Sequence, residues 1–168
     1  MQVNAQLKEK GFFVEMEGAY GHYNRPYSSS ESFAVLGPSL GYKINSQWSV
    51  GAKSLFETGG FKYATVGLYS QYHYWNRSRF NAFVEFQASI AWSRTGIDGG
   101  GDNAFGEVGF ALGASYAISE HWSILLRYPY IGYNSGYTER DYGATAHAGD
   151  FIIDANWKRL QFGVQFMF

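Results

Sequence analysis

Alternation of apolar and polar residues keeps one parity from end to end of this chain. Eight stretches rich in Phe, Tyr, Val, Ile, Trp and Thr span 12–23, 33–44, 48–57, 63–74, 82–93, 105–118, 122–131 and 159–168. Clusters of Gly, Asn, Ser and Asp separate them, which is the pattern of strands and turns. Of their 46 even-numbered positions, 40 are apolar and none is Asp, Glu, Lys or Arg. Of the 46 odd-numbered positions, 16 are apolar and nine are charged: Glu15, Glu17, Lys43, Lys53, Glu57, Glu85, Glu107, Arg127 and Arg159. Successive side chains in a strand point to opposite faces. One face is therefore apolar across all eight strands, and the other carries glycine, small polar residues and charge. No long stretch keeps a 3.6-residue apolar period, so no helix is predicted.

Two arrangements satisfy such a pattern. A soluble sandwich or lipocalin-like barrel buries the apolar face; a membrane barrel turns it outward. Composition separates them. With 14 Tyr, 14 Phe and 5 Trp, the apolar face holds more large rings than the interior of an eight-stranded barrel accommodates. The polar face draws on 21 glycines and small residues, where a solvated exterior would be dominated by Lys and Glu. Its acids and bases are about balanced, as a closed interior of ion pairs requires. Strands of about ten residues match a tilted membrane strand, and only a closed barrel satisfies every backbone group in lipid. The predicted fold is all-β: a closed eight-stranded antiparallel up-and-down transmembrane β-barrel. A mean hydropathy of −0.26 is then the average of two opposite faces. The 168 residues suit one domain, assigned to 11–168, with 1–10 as a flexible periplasmic N-terminal segment. A net charge of −1 leaves no electrostatic footprint for nucleic acid. Without cysteine there is neither a disulfide framework nor a thiolate metal site.

Short and long connections alternate. Asn45-Ser46-Gln47, Asn76-Arg77-Ser78-Arg79 and Ser119-Glu120-His121 are short; 24–32, 58–62, 94–104 and 132–158 lie on the other side, with Thr58-Gly59-Gly60 read as a tight hairpin. Bacterial barrels have short periplasmic turns and longer outer loops, which puts both chain ends in the periplasm. The segment Tyr42-Lys43-Ile44-Asn45-Ser46-Gln47-Trp48-Ser49 repeats as Tyr116-Ala117-Ile118-Ser119-Glu120-His121-Trp122-Ser123. Both copies set a Tyr and a Trp on the even face around a turn, as an interfacial aromatic belt does. Tyr42, Trp48, Tyr74, Phe80, Tyr116, Trp122, Phe166 and Phe168 are assigned to the periplasmic belt, and Tyr20, Phe56, Trp92, Tyr128 and Tyr130 to the outer one. Pro38 and Pro129 fall inside strands and each removes a ladder donor, so a bulge or a ladder break is expected at each.

The last strand reads Leu160-Gln161-Phe162-Gly163-Val164-Gln165-Phe166-Met167-Phe168. Alternating apolar residues with a terminal Phe resemble the C-terminal assembly signal of bacterial outer-membrane proteins. With eight strands, the chain resembles the small outer-membrane β-barrel family that includes the OmpA barrels and OmpX. The resemblance implies a Gram-negative outer-membrane location and recognition of the C-terminal strand by the barrel-assembly machinery. It also implies contacts with outer-membrane lipids and lipopolysaccharide. A cleaved signal peptide is expected of the family; Met1 to Lys10 has no apolar core, so Met1 is read as an added start residue or a processing remnant, ahead of a mature N-terminus.

Function has three places to reside. Glu15, Glu17, Lys53, Glu57, Glu85, Glu107, Arg127 and Arg159 are expected to face the lumen as a polar network that fills it. The alternative is a narrow gated pore. Among outer loops, Arg25, Tyr27, Tyr137, Glu139, Arg140 and Tyr142 are the candidate contacts, since Tyr-rich, Gly-rich charged loops make adaptable surfaces. The four histidines, His22, His73, His121 and His147, would serve a lipid A-modifying barrel enzyme. The deacylase-type His-x-Ser is absent at His147-Ala148-Gly149, however, and no Asp-Ser pair occurs. No two His stand at metal-ligand spacing, and Gly99-Gly100-Gly101-Asp102-Asn103 lacks the repeat of a calcium-binding turn. No catalytic residue, cofactor or metal is assigned. The expected role is a non-enzymatic structural or surface-interaction protein, or an accessory subunit of a larger outer-membrane complex.

Overall fold

In the computed structural model, residues 8–23, 31–58, 61–95, 103–135, 150–154 and 160–168 are described. They form nine antiparallel strands: β1 (Gly11–Tyr23), β2 (Glu31–Lys43), β3 (Trp48–Thr58), β4 (Phe61–Arg77), β5 (Phe80–Thr95), β6 (Asn103–Ala117), β7 (Trp122–Asn134), β8 (Asp150–Asp154) and β9 (Gln161–Met167). Neighbours in sequence pair in order from β1 to β7, and β9 closes the ring between β7 and β1. β8 pairs with the far half of β7. β8 and β9 are thus two segments of one stave, and the molecule is a closed eight-stave barrel. No helix occurs among the described residues.

The hairpins run further than the expected strand limits. β4 reaches Arg77 and β5 resumes at Phe80, leaving Ser78 and Arg79 as the turn. Ser78 there takes the left-handed conformation, φ 51°. The repeated segments form the same turn twice. Asn45 Oδ1 accepts from the N–H groups of Gln47 and Trp48, both at 2.8 Å. Ser119 Oγ accepts from those of His121 and Trp122, at 3.3 and 3.1 Å. A short polar side chain closing its own turn is what favours Asn and Ser at that position. These turns and the C-terminus share one end of the barrel, called here the turn end; the other is the loop end.

The ring is strongly staggered. From Glu15, paired residues lead through Ser39, Lys53, Gly67, Ser89 and Glu107 to Asn134 of β7. In the other direction Glu15 leads through Gln165 to Ser123 of β7. The two arrivals are 134 − 123 = 11 residues apart, one of them the extra residue of a bulge at Pro129. Such a stagger tilts the strands and sets the lumen width.

Both prolines interrupt the ladder. At Pro38 the β2–β3 pairing skips from Leu36 to Ser39 with register unchanged. At Pro129 the β6–β7 pairing passes from Ala111↔Tyr130 to Gly113↔Arg127, a bulge, and the Tyr128–Pro129 peptide is cis. A third irregularity, not foreseen in the sequence, separates His73 from Trp75. Each bulge reverses the parity beyond it, because one extra residue exchanges the two faces. Tyr130, assigned to the outer belt, is instead buried in the lumen at 4% exposure. Tyr133, Phe151 and Ile153 take outward positions at odd numbers, and so does Trp75. β8 lies within the span expected to be the last outer loop, so that stave begins before the 159–168 strand.

The molecule is otherwise inside out relative to a water-soluble fold. Among the residues whose side-chain burial is described, Tyr130 is the one even-numbered large apolar side chain that is buried. The buried set is mostly polar, including Glu15, Glu17, Gln71, Glu85, Glu107 and Arg127.

Candidate functional site in the barrel lumen

The lumen is organised around Arg127, projected inward from β7 just before the bulge. Its guanidinium reaches three carboxylates from two other staves. Nη2 donates to Glu15 Oε2 at 2.8 Å, Nε donates to Glu85 Oε2 at 2.7 Å, and Nη1 pairs with Glu17 Oε1. A planar guanidinium with five N–H donors fits such convergence in a way an ammonium cannot. Lys53 Nζ pairs with the remaining oxygen of Glu85. Neutral side chains complete the shell. Gln71 Nε2 donates to Glu85 Oε2 at 3.1 Å, Gln165 Nε2 to Glu15 Oε1 at 3.0 Å, and Ser39 Oγ to Glu15 Oε2 at 3.0 Å. Ser123 Oγ in turn donates to Gln165 Oε1 at 2.9 Å. The cluster draws on β1, β2, β3, β4, β5, β7 and β9, so it ties seven of the nine strands across the interior.

Aromatic rings hold the two cations from the turn end. Arg127 Cζ lies 5.3 Å from the Phe83 ring centre and Lys53 Nζ 5.7 Å from that of Tyr69, within cation–π range. Phe13, Tyr69 and Met167 form a buried apolar cluster below the charges. These rings need floor space, and lumen glycines provide it. A Cβ on Gly41 or Gly51 would run into Phe13 or Tyr69, and one on Gly113 into Phe83. Tyr130 lies over Gly109 and Gly132 in the same way. Toward the loop end, Ala91 and Phe105 pack together with Leu55 against them. Between this group and Arg127 lies a cavity of about 40 Å3 bordered by Glu17, Lys53, Glu107, Arg127 and Tyr130, room for a few waters.

Glu15, Glu17, Lys53, Glu85 and Arg127 thus come together. Glu107 is buried on the wall of that cavity, and Glu57 is part-buried toward the loop end of β3. Arg159 lies outside the described residues, as do Arg25, Tyr27, Tyr137, Glu139, Arg140, Tyr142 and His147. Gln71, Gln165, Ser39 and Ser123 had no distinguishing mark in the sequence beyond odd parity. The inward rings were legible as odd-numbered aromatics near odd-numbered glycines, a signal the parity count passed over.

The outer surface carries the belt residues. At the turn end, Trp48 sits 4.9 Å from Tyr72, Phe12 4.8 Å from Tyr42, and Trp122 4.8 Å from Phe166, with Phe168 5.2 Å from Phe166 (ring centres). Tyr74, Tyr116 and, nearer the loop end, Trp92 are exposed on the same face. No His, Cys, Asp or Glu group among the described residues is arranged to hold a metal ion.

A closed, staggered eight-stave barrel with an apolar exterior, aromatic rims and an ion-paired lumen defines a class of fold, the small outer-membrane β-barrel. The chain is similar in structure to Neisserial surface protein A (NspA), with a TM-score of 0.62 at 18% identity, over 96% of this chain and 99% of that one. It is also similar to the N-terminal β-barrel domain of Pseudomonas aeruginosa OprF, with a TM-score of 0.62 at 13% identity, over 96% of this chain and 100% of that one. No protein-family model and no curated protein matches the sequence.

Proposed function

We propose that the protein is a non-enzymatic barrel of the bacterial outer membrane, sealed to solutes, that acts through its extracellular loops as a structural or surface-interaction protein. The observation that carries this reading is the lumen. Arg127 is clamped by three carboxylates in mid-barrel, with apolar groups toward both ends. The cavity described between them, about 40 Å3, has room for a few waters. In this orientation the short turns, the C-terminus and the 1–10 segment face the periplasm. The exterior rings meet lipid and lipopolysaccharide, and Phe166 and Phe168 present the last strand to the assembly machinery. The fold shared with NspA and the OprF barrel supports the location. The same lumen argues against a pore. Against a lipid A-modifying enzyme stand the missing Asp-Ser pair and the departure of His147-Ala148-Gly149 from His-x-Ser; the His-x-Ser that does occur, His121-Trp122-Ser123, lies at the turn end, with Ser123 buried and donating to Gln165.

Planar-bilayer recording of the refolded chain tests the sealed lumen. No conductance steps above leak are expected. Steady openings that Arg127→Ala alters would replace this reading with a gated pore. Lipid A from cells expressing the chain is expected to keep its mass; a change abolished by His147→Ala would make it an enzyme.

A further inference from the structure

The β4–β5 hairpin carries a pair of bases on the face that meets lipid. Both strands run past the alternation visible in the sequence, β4 starting at Phe61 and β5 ending at Thr95. The added residues bring Lys62 directly opposite Arg94. From that pair the register runs unbroken through Ala64↔Trp92, Val66↔Ile90 and Leu68↔Ala88. Trp92, Val66, Ile90 and Leu68 are exposed on the outer surface. Two-residue periodicity therefore sets Lys62 and Arg94 at outward positions, one pair beyond Trp92 toward the loop end. Among the described strands, the other charge at an outward position is Arg77, at the turn end of the same hairpin, and no outward position holds Asp or Glu.

Like charges directly opposite one another destabilise a sheet. The strands supply no acid on this face, so the counter-charge has to come from what surrounds the barrel. Cβ atoms of such a pair stand about 5 Å apart, close enough for both cations to share one phosphate. Arg forks onto phosphate oxygens and Lys adds a point charge. Depth is set by Trp92, because interfacial rings mark the boundary between acyl chains and headgroups. Successive outward positions on a strand are about 7 Å apart, which puts the pair at headgroup level. Beneath it the surface is apolar. Ala64 and Ala104 flank Trp92 across the sheet, and Phe56 lies beyond Ala64. Small residues on both sides of the indole leave room for an acyl chain against it.

We propose that this face binds one phosphorylated glycolipid of the outer leaflet, lipid A by its chemistry, with a phosphate between Lys62 and Arg94 and an acyl chain against Trp92. The site deepens the outer-membrane reading above and rests on it, since the loop end must be extracellular. The lipid neutralises the like-charged pair and fixes the depth of the hairpin in the bilayer.

The test is native mass spectrometry of the full chain, refolded in detergent and titrated with bisphosphorylated lipid A. One lipid A per barrel is expected, bound about tenfold or more tightly than by the Lys62→Gln/Arg94→Gln double variant, the worth of one lost charge-assisted contact. Dephosphorylated lipid A is expected to lose the same factor on the unaltered chain, and Arg77→Gln to keep full binding. Equal binding by the double variant, or of the dephosphorylated lipid, would overturn the site. So would phosphatidylglycerol binding as tightly as lipid A, which would make the contact a general one to anionic lipid. Displacement by excess inorganic phosphate would turn it into a site for the free ion. If the double variant does not fold, the dephosphorylated lipid decides. Membrane fractionation reads location separately. A chain found in the outer membrane without a preference for lipid A loses this site alone, and a chain found elsewhere loses the outer-membrane reading.

Discussion

Arg127 is where single-residue chemistry matters most to this barrel. Removing one member of a buried ionic cluster strands the others, and that typically costs about 3–5 kcal/mol. Arg127→Met would leave Glu15, Glu17 and Glu85 with Lys53 as the cation of their cluster. Urea unfolding in detergent is expected to show a loss of that order. A loss of about 1 kcal/mol or less, the worth of an exposed ion pair, would show that water already screens the cluster. The charged residues were legible in the sequence as odd-numbered exceptions on a neutral face. Which of them meet was not. Glu15 and Arg127 are 112 residues apart in sequence, and their encounter depends on the stagger accumulated around the ring.

At the scale of elements, parity is the central fact, and bulges qualify it. Two-residue periodicity assigned nearly every large apolar side chain to the correct face. It failed at Tyr130, since a proline in mid-strand has no N–H for the ladder and the chain there accommodates an extra residue. Pro38 also lacks that donor, yet its ladder merely skips two residues. A proline therefore signals an irregularity without specifying its kind. The chain has no cysteine, so single cysteines report orientation cleanly. Cysteine at 128, 133, 151 and 153 is expected to react with a lipid-soluble maleimide, and cysteine at 130 is expected to be protected. Equal labelling at 130 and 133 would mean that the bulge does not reverse the faces. The same reversal explains why β8 was read as loop. Its outward residues Phe151 and Ile153 sit opposite Tyr133 and Ile131 and are odd-numbered, so they broke the even pattern used to find strands.

For the whole molecule, the question is which solvent the exterior meets. Leu68, in mid-strand on β4, is 70% exposed. An Arg on the lipid face of a barrel costs about 2–4 kcal/mol near the bilayer midplane and far less at the interfaces. Leu68→Arg is therefore expected to destabilise the barrel by about that amount in vesicles, measured by urea unfolding. A neutral outcome would mean that this face does not contact lipid. The exterior also predicts that the chain does not stay monomeric in buffer without detergent.

Fold class, strand number and the division into an apolar and a polar face follow from local chemistry, since each strand carries its own alternation. So do the two matched turns, closed by Asn45 and Ser119 from within four residues of chain. The convergence of Glu15, Glu17 and Glu85 on Arg127 and the rings seated over Gly41, Gly51 and Gly113 depend on ring closure, and the inward turn of Tyr130 on the bulge at Pro129. Stagger brings together residues that no local period relates, and each bulge moves the pattern by one residue, which in a strand exchanges inside for outside.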